Sequence, residues 1–295
     1  MTTALTIINR ASRSLLSGLV EERNKLATAL SDTTGTSVVT TYDLKGLQAG
    51  TVFEIDSELF FVWVADGGSK TLTVERGYGG STPATHSAAA VITLNPKFPK
   101  QQLLDTLNSE IDDLSSPTNG LFRIVVASLT YNGTDRQINL TSATSVLGLV
   151  DVSYKYLATH YVPMRNTELK RDMATADFAS GFALTINDGI LSGTVRVTYR
   201  APFVRVVTTA DDLQTVSFVP AVMEDILELG LQIRMIAPRE PKRSYIESQG
   251  DTRRSEEVPP GSAINSVAGL MRLKRDRIAA ESARLNTSYP ILIRR

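Results

Sequence analysis

The sequence has no cysteine and only two histidines, His86 and His160, and these absences exclude several chemistries. Without a thiol there is neither a disulfide framework nor a thiolate metal site. Two histidines so far apart also rule out a histidine-rich metal site. No run approaches the roughly 18 consecutive apolar residues that a bilayer-spanning helix needs. The opening Met1-Thr2-Thr3-Ala4-Leu5 lacks the basic residues and apolar run of a secretory leader, so the chain is expected to fold in a reducing cytoplasm. An excess of one charge is missing too: Lys+Arg and Asp+Glu number 31 each. That balance argues against a surface given over wholly to nucleic acid or membrane, while leaving room for local patches.

What is present is enough apolar content, 42% of 295 residues, to build a real core in two domains or in one carrying an insertion. Leu5, Ile8, Leu15, Leu16, Leu19, Leu26 and Leu30 recur at helical steps, predicting a first helix that ends near Gly35. From 36 to 95 the period turns strand-like, with short β-rich runs at 37–41, 52–55, 58–64, 71–75 and 90–94. Gly50, Asp66-Gly67-Gly68 and Gly77-Tyr78-Gly79-Gly80 separate them, a pattern that suggests a small antiparallel barrel or sandwich. A second helix, from about 100 to 114, presents Leu103, Leu104, Leu107, Ile111 and Leu114. Strand candidates return between 121 and 207, with hairpin turns at Asn132-Gly133 and Asn187-Asp188-Gly189, resembling a β-sandwich of six to eight strands. A third helix covers 216–237 and stops at Pro238. The charged, proline-containing stretch 239–261 reads as an extended linker, and a last helix follows from 262.

This order predicts an α+β protein: a four-helix bundle assembled from separated segments, with two antiparallel β modules inserted in its loops. The boundaries are helix 1 in 1–35, small β-barrel in 36–95, helix 2 in 96–116, β-sandwich in 117–208, helix 3 in 209–238, linker in 239–261, and C-terminal helix with its tail in 262–295.

No constellation of residues reads as catalytic. Arg76-Gly77-Tyr78-Gly79-Gly80-Ser81-Thr82 lacks the Gly-Lys-Ser/Thr of a phosphate loop and is better taken as a wide turn. His86 follows that turn with no paired serine or carboxylate at readable spacing, and is expected to be a loop histidine bonded to nearby backbone, as is His160. The acidic pairs Asp112-Asp113, Asp211-Asp212, Glu224-Asp225 and Glu256-Glu257 are adjacent in sequence and read as solvated faces. No enzyme, metal or cofactor is expected.

The C-terminal stretch carries more signal. Between 261 and 295 stand seven basic residues, Arg272, Lys274, Arg275, Arg277, Arg284, Arg294 and Arg295, against Asp276 and Glu281. They read either as a helix that meets an acidic partner or DNA, or as the polar face of an ordinary amphipathic helix. The tail Tyr289-Pro290-Ile291-Leu292-Ile293 favours a partner surface, because it offers apolar groups that a monomer has little reason to expose.

The stretch 74–92, with Arg76-Gly77-Tyr78, Gly80, Thr82, Ala84, His86 and Val91, resembles an Arg-Gly-Tyr…Gly-Thr…Ala…His…Val hairpin of tailed-phage virion proteins. The following Phe98-Pro99 with the second helix, and the closing helix with Tyr289-Pro290, are similar to the layout of head-to-tail adaptors of actinobacterial phages. The resemblance spans the layout of nearly the whole chain, and its specific part is the hairpin. It implies a structural virion protein of the head–tail neck, made in the host cytoplasm and forming a ring of twelve copies. That ring would sit between the portal and the next neck or tail component, a stopper or tail terminator, with non-specific contact to DNA in its channel. The portal-docking residues would be Arg272, Arg275, Arg277, Arg284, Tyr289, Pro290, Ile291, Leu292, Ile293, Arg294 and Arg295, and the second β module would offer a contact to the capsid. The alternative is a minor tail or baseplate protein whose second β module holds a host glycan through Tyr131, Tyr154, Tyr156, Tyr161 and Tyr199.

Overall fold

The computed structural model describes residues 2–16, 20–141, 145–189, 192–237 and 262–291, with side chains in the last stretch from 267. The expected four-helix bundle with inserted β modules does not form. The protein is mainly β, with thirteen strands in three sheets and four substantial helices among the described residues. Most of the buried apolar residues belong to the sheets, and the helices do not pack on one another as a bundle. In α1 (Ala4–Leu16) only Ala4, Ile7, Ile8 and Ala11 are buried, enough to cover one neighbour. That neighbour is α3 (Glu224–Ile236), and theirs is the one extensive helix–helix packing among the described residues. The linker expected in 239–261 lies outside the described residues.

The chain divides into two compact units. The first comprises Met1–Glu110, Val206–Val216 and Pro220–Lys274. Its sheet runs β1 (Arg23–Lys25), β6 (Val91–Leu94), β3 (Val52–Ile55), β4 (Glu58–Asp66), β5 (Thr71–Arg76), β2 (Ser37–Val39), every pairing antiparallel. The sheet curls into a half-barrel whose edge strands approach through the isolated bridge Leu26–Thr40. Alternation explains the curl: Phe53, Ile55, Phe60, Val62, Leu72, Val74, Ile92 and Leu94 point inward, and the stacked rings of Phe53 and Phe60 lie 4.9 Å apart at its centre.

The predicted first helix is shorter than its leucine spacing suggested. It stops at Leu16, Arg23–Lys25 is a strand, and Leu26 and Leu30 fill the half-barrel. Tertiary pairing overrides the helical period here, because Asn24 is buried and donates from its side-chain amide to the carbonyls of Tyr42 and Asp43.

The second unit comprises Ile111–Arg205, Ser217–Val219 and Arg275–Arg295. A four-stranded sheet runs β10 (Tyr161–Pro163), β9 (Gly148–Lys155), β13 (Gly193–Ala201), β7 (Arg123–Tyr131). A three-stranded sheet runs β11 (Thr167–Lys170), β12 (Ala183–Ile186), β8 (Gln137–Asn139). The two share one core built from Leu129, Leu149, Val152, Leu184, Ile186, Val195, Val197 and Tyr199. Strand β11 has no counterpart among the strands that the sequence predicts here, 122–129, 136–140, 150–157, 161–164, 182–186 and 194–199, since Thr-Glu-Leu-Lys offers one apolar residue in four. Two helices have residues in both units: α2 (Lys100–Leu114) and α4 (Ser262–Ser288). No helix of the described residues is long and apolar enough to cross a membrane.

Candidate functional site

The stretch 74–92 does not form the expected hairpin: β5 and β6 are separated in the sheet by β3 and β4, so it is a connection that crosses the end of those strands. Its residues Arg76, Gly77 and His86 meet there at a carboxylate that the sequence did not single out. Strands β3 and β4 are joined by the two-residue turn Asp56-Ser57, in which Asp56 takes a left-handed φ of 56°. The next residue, Glu58, turns inward and its side chain is fully buried. Its Oε1 accepts from Arg76 Nε at 2.9 Å and from the amide of Gly77 at 3.2 Å. Its Oε2 accepts from Arg76 Nη2 at 2.7 Å, the amide of Ala84 at 2.9 Å and His86 Nε2 at 2.9 Å. Nδ1 of His86 lies 2.8 Å from Asp56 Oδ2. Arg76 also donates to the carbonyl of Asp32 at 2.6 Å and to that of Ala84, and lies over the Phe60 ring.

His86 is therefore not the loop histidine bonded to backbone that its sequence context suggested. It is buried between two carboxylates, Asp56 and Glu58, which stand 30 and 28 residues away where no local spacing could show them. Burial alone would raise the Glu58 carboxyl, but hydrogen bonds from His86, Arg76 and Ala84, together with the Arg76 charge, hold it at about 2. Burial likewise works against the His86 cation. Hydrogen bonds to Glu58 and Asp56 and their charges outweigh it and raise the imidazole above its usual value. Neighbouring Glu54 shows burial winning: its carboxyl rises to about 7 although Lys100 opposes the shift, and it accepts the first amide of α2 at 2.6 Å.

Chemically this cluster is a brace. Both nitrogens of His86 are taken by carboxylates and Glu58 is saturated with donors, so neither is free to move a proton to or from a substrate. Of the other motif residues, Gly77 and Gly80 adopt φ of 66° and 84°, which the tight turn requires. Tyr78, between them, is turned outward and 39% exposed.

The expected docking residues on α4 are spread around the helix. Val267, Ile278, Glu281 and Leu285 are buried on one stripe. Arg272 and Arg275 are exposed and have no ion-pair partner among the described residues. Arg277 Nη1 lies 3.6 Å from Glu281, and Arg284 Nε donates to the same carboxylate at 2.7 Å. The carbonyl of Tyr289 accepts from Arg200 Nε at 3.1 Å, and Ile291 packs over Gly148 of β9, so this part of the tail is seated on its own sheet. Pro290 is exposed; Leu292, Ile293, Arg294 and Arg295 lie outside the described residues.

The tyrosines considered for a glycan do not form an exposed group. Tyr131 and Tyr199 are core residues, Tyr154 packs against that core, and Tyr161 lies under the guanidinium of Arg196 at 4.2 Å. Tyr156 alone of the five stands open. No group of three or more His, Asp or Glu residues among those described could hold a metal ion. No protein-family model matches this chain, and no curated protein matches it.

Proposed function

We propose that this chain is a non-catalytic structural subunit of a tailed-phage particle, a head-to-tail adaptor joining the portal to the next neck component around the DNA channel. The observation that carries the reading is the convergence of Arg76, Gly77 and His86 on the buried Glu58. Three residues of the stretch that resembles virion proteins thus fix the connection between β5 and β6, as a mechanical brace. The reading no longer draws on a helical bundle. Its support is the braced stretch 74–92, the helix α2 that follows it, and Arg272 and Arg275 of α4, which are exposed and unpaired among the described residues.

The test is binding of the purified full chain to the portal, followed by pull-down and by electron microscopy for a ring. Arg272→Glu/Arg275→Glu alters exposed side chains and should leave the fold intact while removing portal binding. Deleting 292–295 tests the tail without removing buried Leu285, as a cut at Arg284 would. Portal binding unchanged in both variants would remove α4 and its tail from the docking role; a wild-type chain that neither binds portal nor forms a ring would remove the adaptor reading itself.

A further inference from the structure

The outer face of the half-barrel holds a second feature, made by the residue the brace positions. Tyr78 sits on a turn whose geometry is fixed at several points. Gly77 lies against Ser81 and Pro83, and the Ser81 hydroxyl accepts the amide of Leu59 at 2.9 Å while donating to the carbonyl of Tyr78 at 3.1 Å. This places the Tyr78 ring 5.2 Å from that of Phe61, on the outward side of β4. A register shift between Val62 and Val64 leaves Trp63 as the extra residue of a bulge, with its ring 4.8 Å from Phe61 in an edge-on arrangement. Trp63, the only tryptophan of the chain, is 58% exposed, and Val64 beside it is equally open.

Three aromatic rings on an open sheet face, with Phe61 touching both Trp63 and Tyr78, are costly to leave in water. Their surroundings indicate what covers them. Glu75 is the direct cross-strand partner of Phe61 and so lies on the same face; its side chain is exposed and has no hydrogen bond or ion pair among the described residues. Among the described residues Asp66, at the end of β4, accepts only from Gly68 and Ser69 and pairs with no cation. Arg76, the nearest cation in sequence, is buried on the other side, spent on Glu58 and Asp32. The face thus combines the negative π surfaces of tryptophan and tyrosine with an unpaired carboxylate, the chemistry that recognises a guanidinium.

We infer that the Phe61–Trp63–Tyr78 face, with Glu75 at its rim, is a docking site for an arginine-bearing segment of a partner protein, whose guanidinium stacks on the rings and pairs with Glu75. This inference stands apart from the adaptor reading, since it needs neither portal nor ring. Trp63 makes it directly measurable, because all tryptophan emission comes from the site. Titrating the full chain with a hexa-arginine peptide should shift or quench that emission saturably, and more strongly than hexa-lysine, which lacks the planar group that stacks. Tyr78→Ala should weaken the response about threefold, and Glu75→Gln by a similar factor. Both residues are exposed, so circular dichroism should show the fold unchanged. Three outcomes would overturn the proposal: no saturable change with hexa-arginine, equal affinity for hexa-lysine with no effect of Tyr78→Ala, or a response to a neutral oligosaccharide such as cellohexaose in place of the peptide.

Discussion

Glu58 shows how much of this protein's organisation depends on single side chains. It sits one residue past a turn, at the head of the apolar run Leu59-Phe60-Phe61-Val62, where the strand pattern gives no reason to bury a charge. Its burial is tolerated because Arg76, His86 and two backbone amides saturate it. Glu58→Gln removes the charge while keeping the shape, leaving the 4%-exposed Arg76 side chain without its main counterion. Breaking a buried pair from one side costs about 3–5 kcal/mol. We expect urea unfolding followed by Trp63 emission to show a loss in that range; a loss below about 1 kcal/mol would mean the brace is dispensable. The same cluster sets a pH dependence. Glu58, held at about 2 against 4.5 when free, contributes stability that is complete above 4.5 and is lost as pH falls toward 2. His86, raised above 6.5, contributes fully below 6.5 and loses that contribution as pH rises through its folded value. Glu54, raised from 4.5 to about 7, likewise contributes fully below 4.5 and progressively less as pH rises through 7. Thermal melts should therefore give a higher midpoint near about pH 5.5 than near about pH 8.5, and Glu54→Gln should flatten the difference. A midpoint that rises into the alkaline range would contradict both assignments.

At the scale of elements, what could be read from sequence depended on whether the signal was local. Strands β3, β4 and β5 and helix α2 were legible almost residue for residue, because period-two alternation and a helical apolar stripe report directly on burial. The length of α1 was not, because Leu26 and Leu30 satisfy a helical spacing while belonging to a sheet that needs Thr40 and His86 as partners. The helix bundle failed for a related reason: amphipathic stripes show that a helix is covered, without showing that another helix covers it. Gly230 illustrates a contact that no spacing reveals. On α3 it leaves room for Glu110 of α2, whose buried carboxylate pairs with Arg234 and Lys274. A Cβ at position 230 would fall inside that carboxylate. Gly230→Ala gains helix propensity yet should destabilise by about 1–3 kcal/mol, the cost of overpacking. Differential scanning calorimetry would check the sign, and a stabilised variant would mean that Glu110 moves freely.

At the scale of the whole molecule, the balance of charge conceals an asymmetry. Residues 261–295 hold seven basic residues against two acidic ones, so the remaining chain, with 24 basic and 29 acidic, is net negative. We expect such a charge distribution to favour heterologous contacts between copies, the kind that close into rings when their rotation permits. The residues to test for such a contact are Arg272 and Arg275, exposed on α4, and Glu75, exposed on the half-barrel; all three side chains are unpaired among the described residues. If charge drives the association, it must weaken as the screening length shortens from about 10 Å at 0.1 M salt to about 3 Å at 1 M. Sedimentation velocity should then show assemblies at low ionic strength that dissociate at 1 M, and Arg272→Glu/Arg275→Glu should behave at low salt as the wild type does at high salt. Assemblies that persist unchanged in 1 M salt and in the charge-reversed variant would assign the contact to apolar surface instead, with the exposed Trp63 and Val64 the first residues to substitute.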